Sequence, residues 1–321
     1  MTVRPMGIIP QEDTMLIKTT FAAIALATLV SFPANAQEAT MAETFDPIQL
    51  STEVPVPSED GTVNIDGLNM YYQVHGEGEP LLLIHGGLMT IEAWGPILSA
   101  LAEDRKVYAI ELEGHGRTVD LDRPLSMQQF AEDVSGFIEQ MDLGPIDIVG
   151  FSMGGGTAMG VGALHPELVK SLVIISASHQ ADAIWDSVRA GWPHMTAEMM
   201  EGTPMLAAYE AVAPQPERFA GFVEKIRDAM VSGELGWTDD QVASIPVPVL
   251  MIIGDTDLVQ FDKALETYQL LGGQSSTGPM GPELDTARQF AVIPAATHYD
   301  IVFKTDLLLP LIDRFLAAQA D

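Results

Sequence analysis

The sequence predicts an α/β protein built on a doubly wound, mostly parallel sheet with an inserted helical segment. Three observations carry that prediction. Short unbroken apolar runs recur along the chain, helical stretches separate most of them, and one gap between 175 and 249 breaks the rhythm. The chain has 321 residues, which is room for one large domain or two small ones. Lys+Arg is 15 against Asp+Glu 45, a formal net charge of −30. A surface so acidic repels nucleic-acid phosphates and anionic lipid, so neither is expected as a partner. With no cysteine, disulfides, thiolate metal sites, a cysteine nucleophile and a lipidated cysteine anchor are excluded.

Taken in order, residues 21–32 (FAAIALATLVSF) form a run of 12 without charge, too short to span a bilayer. Lys18 precedes it and Ala34-Asn35-Ala36 follows, the order of a secretory signal peptide over 1–36. Glu12 and Asp13 place negative charge where a positive segment belongs, so Met15 is read as the true start. Export to the periplasm or beyond is the expectation. Residues 37–60, rich in Pro, Glu and Ser without apolar period, read as a flexible leader. Segments 62–66 and 68–74 alternate around Asp66-Gly67, a hairpin signal.

Apolar runs at 81–84, 106–110, 146–149, 171–175 and 248–253 suit strands buried on both faces. Helices are expected near 92–102, 127–141, 153–164 and 261–270, with a last strand at 289–293 and a closing helix near 305–319. The core is thus assigned to 61–179 and 247–321. The interruption at 180–246 is rich in Met, Trp and Pro, and so long a loop without structure would be exceptional. It reads as inserted helices whose Met and Trp side chains pack on the sheet, or present a soft apolar wall to a substrate. A further Gly/Pro-rich loop spans 272–286, and no role is assigned to it.

The chemistry starts at Gly150-Phe151-Ser152-Met153-Gly154, a G-x-S-x-G between an apolar strand and a small-residue helix. That context lifts a serine oxygen clear of the sheet. A serine hydroxyl needs a base, and the base needs an orienting group. Of seven histidines, His298 stands just past the last predicted strand, at the sheet edge that carries the serine. The other six are read as structural. The strand at 248–253 leads into Gly254-Asp255-Thr256-Asp257, so Asp257 or Asp255 can orient the base, with Asp257 preferred. His85-Gly86-Gly87 ends another strand, and backbone N–H groups there and at Met153 can face a developing oxyanion. Gly76-Glu77-Gly78 lacks the following helix of a nucleotide-binding loop, and no metal spacing or cofactor is read.

Together HGG at 85–87, EGHGR at 113–117, GFSMGGG at 150–156, GDTD at 254–257 and TH at 297–298 resemble the α/β-hydrolase superfamily over about 62–319. The nearest flavour is its serine carboxylesterases, lactonases and cofactor-free perhydrolases. The resemblance implies a triad Ser152, Asp257 and His298, oxyanion donors at Gly87 and Met153, and a helical cap matching 180–246. The expected reaction is hydrolysis of a neutral, fairly apolar carboxylic ester or lactone through an acyl-enzyme, and the net charge of −30 is expected to disfavour anionic substrates. Perhydrolysis, carbon–carbon hydrolysis and a non-catalytic binding protein on the same scaffold are the alternatives. A small-molecule substrate is the only partner expected, with no stable membrane anchor; oligomeric state is not read from the sequence.

Overall fold

The computed structural model describes residues 54–274, 277–278, 280–282 and 285–319. The expected signal peptide and most of the expected leader lie outside these residues. Among the described residues, eight strands form one sheet: β1 Glu59–Ile65, β2 Leu68–His75, β3 Glu79–Ile84, β4 Arg105–Ile110, β5 Ile146–Phe151, β6 Val169–Ile175, β7 Val249–Thr256 and β8 Arg288–Thr297. Their spatial order is β1-β2-β4-β3-β5-β6-β7-β8. The β1/β2 and β2/β4 pairs are antiparallel and the others parallel. The carboxyl ends of β3 to β8 therefore share one edge.

One boundary moves. The first strand begins inside the segment read as leader, because Glu59 and Asp60 pair with Val74 and Gln73. The hairpin turns on Asp66 and Gly67, both at positive φ (49° and 96°), which matches the twist of the strands it joins.

The central strands read as unbroken apolar runs because alternate side chains enter two different cores. Leu82, Ile84, Ile148, Leu172 and Met251 pack with Phe130, Phe137 and Met159 on one face. Leu81, Leu83, Val149, Val173 and Leu250 pack with Trp94, Ile97 and Phe315 on the other. Each such side chain contributes about 1.5–3 kcal/mol by leaving water. The covering helices are α1 Gly95–Leu101, α2 Met127–Gln140, α3 Met153–Leu164, α8 Phe261–Leu270 and α9 Thr305–Ala318. Ser126 caps α2 by accepting the Gln129 N–H at 3.1 Å.

Between β6 and β7 the regular elements are helical, including α4 Asp186–Arg189, α5 Pro204–Val212, α6 Phe219–Ser232 and α7 Asp239–Ala243. Buried Asp120, in the loop after β4, ties this segment to that loop through Arg218 (2.7 Å) and Lys225 (2.6 Å). Such convergence of two cations on a nearly buried carboxylate is more favourable than a surface ion pair. In the 272–286 loop, Thr277–Gly278 pairs antiparallel with Gly281–Pro282. Among the described residues no helix is long and apolar enough to cross a membrane.

Candidate active site

Strand β5 is buried along its whole length and ends directly before Ser152. Ser152 sits at φ 53°, ψ −115°, a conformation unfavourable for a residue with a Cβ. Its N–H donates to Ile175 O at 2.8 Å, and its carbonyl accepts the Gly156 N–H at 3.0 Å, so both sides of the turn are pinned. The flanking glycines are steric necessities. A Cβ on Gly150 would stand 2.3 Å from Gly154 O, and one on Gly154 only 2.1 Å from Ile84 O. We expect Gly154→Ala to force α3 away from β3 and to destabilise the fold by about 2–3 kcal/mol. A urea-denaturation midpoint equal to wild type would contradict this packing.

Ser152, His298 and Asp257, far apart in sequence, meet at the shared edge. His298 Nε2 lies 2.9 Å from Ser152 Oγ, and His298 Nδ1 lies 2.7 Å from Asp257 Oδ1. With a carboxylate at Nδ1, that nitrogen carries the proton and Nε2 is the acceptor for the serine O–H. Phe151 and Tyr299 flank the imidazole, each with its ring centroid 5.2 Å away. Burial works against charge on Asp257. The hydrogen bond and charge of His298, the Ser176 hydroxyl and the Val259 N–H outweigh it and hold the carboxyl below its usual range. Asp255, the other carboxylate of the loop, is exposed and does not reach His298. It accepts the Ala296 N–H at 3.3 Å and serves the turn.

Beside the serine, the loop after β3 brings Gly87 against Met153, since a Cβ on Gly87 would stand 2.7 Å from Met153 Cε. Both residues line the cavity above Ser152. Met153 opens α3, where N–H groups have no partner within the helix. The orientation of the Gly87 N–H has a visible cause. Buried His85 donates from Nδ1 to Gly86 O at 2.7 Å, and its Nε2 accepts the Leu112 N–H at 3.2 Å. Burial pushes His85 down to about 4, so the ring is neutral as this arrangement requires. Gripping the Gly86 carbonyl fixes the trans peptide plane, and with it the Gly87 N–H on the opposite side. Read as structural from sequence, His85 thus holds the loop that carries Gly87. His115 packs against His85 and Phe222 (centroids 4.9 and 4.6 Å) and is structural, as expected.

The cavity has a volume of about 450 Å³. From the inserted segment Trp192, Met195, Met199, Met200, Met205 and Met230 line it, and Met89, Met127 and Met153 complete a thioether wall. The Met and Trp side chains of the segment thus divide between the cavity lining and packing within the fold. Trp237 is a packing residue, its Nε1 donating to Gly156 O at 2.8 Å. Trp185 Nε1 donates to Asp257 O at 3.1 Å and supports the acid loop from above, a contact with no sequence signal. Among the described residues no Asp, Glu, Lys or Arg lines the cavity. Its polar side chains are engaged elsewhere: Ser176 with Asp257, Ser178 with Thr267 and Gln180 with Asp239. Among the described residues no group of His, Asp and Glu is disposed to hold a metal ion.

Comparison with known proteins agrees with this architecture. A family model described as the alpha/beta hydrolase fold matches residues 79–204. The chain is similar to 2-hydroxy-6-oxo-6-(2'-aminophenyl)hexa-2,4-dienoic acid hydrolase of Metapseudomonas resinovorans. The two are 28% identical over 216 residues, covering 61% of this chain and 74% of that protein. It is also similar to (E)-2-((N-methylformamido)methylene)succinate hydrolase of Acinetobacter baylyi, 34% identical over 110 residues. That match covers 34% of this chain and less than half of the relative, 42%. Among solved structures, the enol-lactonase from Burkholderia xenovorans superposes with a TM-score of 0.61 at 18% identity, over 80% of this chain and 99% of that one. The sheet order, the matched segment and these relatives lead to one conclusion: the chain has the α/β-hydrolase fold.

Proposed function

We propose that the protein is a serine hydrolase that cleaves a neutral, fairly apolar carboxylic ester or lactone. The observation that carries this reading is the unbroken hydrogen-bonded chain from Ser152 Oγ through His298 to Asp257, at the floor of an uncharged cavity. In this reading His298 Nε2 takes the hydroxyl proton as Ser152 Oγ attacks the carbonyl carbon, and Asp257 stabilises the imidazolium that results. The Gly87 and Met153 N–H groups receive the oxyanion, each worth about 3–4 kcal/mol in the transition state. Collapse expels the alcohol, which takes the proton from His298. Water activated by the same nitrogen then releases the acid and restores Ser152.

The experiment is a panel of acyl esters and lactones assayed with wild type and Ser152→Ala. Neutral substrates are supported by a cavity wall that, among the described residues, carries no Lys or Arg, since a carboxylate there would be stripped of water without a partner. We expect kcat/KM for a neutral ester to exceed that for its matched ω-carboxylate by about 100-fold or more. Equal values would contradict the substrate class. A second reading, carbon–carbon hydrolysis, is favoured by the dienoic acid named for the Metapseudomonas relative. The same panel decides it: turnover of a dienoic acid in preference to neutral esters would replace the first reading with the second.

A further inference from the structure

We propose that Ser176 is a positioning residue of this site, its hydroxyl locking the Asp257 carboxylate so that the His298 ring stays aimed at Ser152. The inference rests on the serine-hydrolase reading above. Ser176 follows β6 at the shared sheet edge and is 1% exposed. Its Oγ donates to Asp257 Oδ2 at 2.5 Å. That oxygen also accepts the Gly254 N–H at 3.3 Å, while Oδ1 takes His298 Nδ1 and, at 3.0 Å, the Val259 N–H. Four donors thus hold one carboxylate, two on each oxygen. Of the pair on Oδ2, the serine hydroxyl is much the closer. Without it, Oδ2 keeps only the long Gly254 contact, and the carboxylate plane is free to turn away from Nδ1.

The backbone supports the same assignment. Ser176 has φ 52°, a left-handed conformation, with its N–H held by Ile252 O at 2.8 Å. Glycine adopts such a φ without strain, so conformation alone favours glycine at this position. What glycine lacks is the donor. A strained residue kept for its side chain, in contact with the orienting acid, points to the chemistry rather than to the turn. The ionisable groups that face Asp257 are His298 and Tyr299, both on the segment after β8.

The test uses Ser176→Gly and Ser176→Ala in the full chain, with kcat, KM, the pH profile of kcat/KM and Tm on one neutral ester. We expect kcat to fall about tenfold and KM to stay within about twofold. Removing a donor makes the carboxylate more basic, so the protonated His298–Asp257 pair persists to higher pH and the acid limb moves upward. Ser176→Gly sets relief of the left-handed strain against loss of a hydrogen bond to a buried carboxylate, so its Tm serves to confirm that the variant is folded; a purely structural serine would leave the acid limb in place. Wild-type kcat with an unmoved acid limb in Ser176→Gly overturns the proposal, even if Ser176→Ala fails to fold. Ser152→Ala, run beside them, keeps the two claims apart. If it is inert while the Ser176 variants behave as wild type, only the positioning role falls. If it is fully active, the hydrolase reading falls and takes the positioning role with it.

Discussion

Ser152→Ala is expected to remove on the order of 10⁴–10⁶ of kcat while leaving the fold intact. Among the described residues the serine oxygen bonds to His298 Nε2 alone, so its loss leaves an imidazole nitrogen facing the cavity rather than a hole in the core. The turn is held by backbone groups, the Ser152 N–H to Ile175 O and the Gly156 N–H to Ser152 O, and alanine retains both. Thermal unfolding of the variant should therefore lie within a few degrees of wild type, because surface-lining substitutions that break no buried network change stability little. Ser176 and Ser178 line the same cavity, but their oxygens are committed to Asp257 and Thr267. Activity above a few per cent of wild type in the purified variant would mean that another group attacks the substrate.

Asp257→Asn should cost about 10⁴ in kcat at neutral pH, and Asp255→Asn no more than a few-fold. The two carboxylates share a loop and differ in what they touch. Asp257 accepts from His298 Nδ1 at 2.7 Å, whereas Asp255 accepts from the Ala296 backbone. An amide at 257 can present its NH₂ to Nδ1, which forces the imidazole proton onto Nε2 and turns the base into a donor. The two variants also separate in stability. Because the Asp257 pKa is depressed on folding, the carboxylate stabilises the protein above its unfolded-state pKa and loses that contribution as pH falls through the folded value. Asp257→Asn should accordingly flatten the acid side of the stability–pH curve. Comparable losses of kcat in both variants would show that the choice between the carboxylates is wrong.

Much of this arrangement was legible in the sequence because the constraints are local. A strand covered on both faces is apolar at most positions, which is why β3, β5, β6 and β7 stood out as runs. A serine between a buried strand and a glycine-rich helix must turn sharply, and Gly150 and Gly154 mark where side chains do not fit. The last strand was read short. Pro294 signals an end near 293, yet β8 continues to Thr297. It is an edge strand with a shift of register after Ile293, and Ala295 at φ 52°, the setting in which a sheet tolerates proline. The contacts of Ser176, Trp185 and His85 were not legible, because each depends on a backbone angle or a partner distant in sequence. A serine directly after a buried strand, at the sheet edge that carries Ser152, was the one available signal for Ser176. Most helices of the inserted segment are too short for a clear period, while α6 is long enough and buries Phe219, Phe222, Val223 and Ile226 along one face.

The central claim is that Ser152 is the nucleophile, activated by His298. A fluorophosphonate probe followed by intact mass and peptide mapping tests it most directly, since the probe needs an activated serine and no knowledge of the substrate. The account predicts one adduct per folded chain, on Ser152, with labelling slowed by several orders of magnitude in His298→Ala. A folded wild-type protein that stays unmodified, or carries the adduct on a different residue, would contradict it.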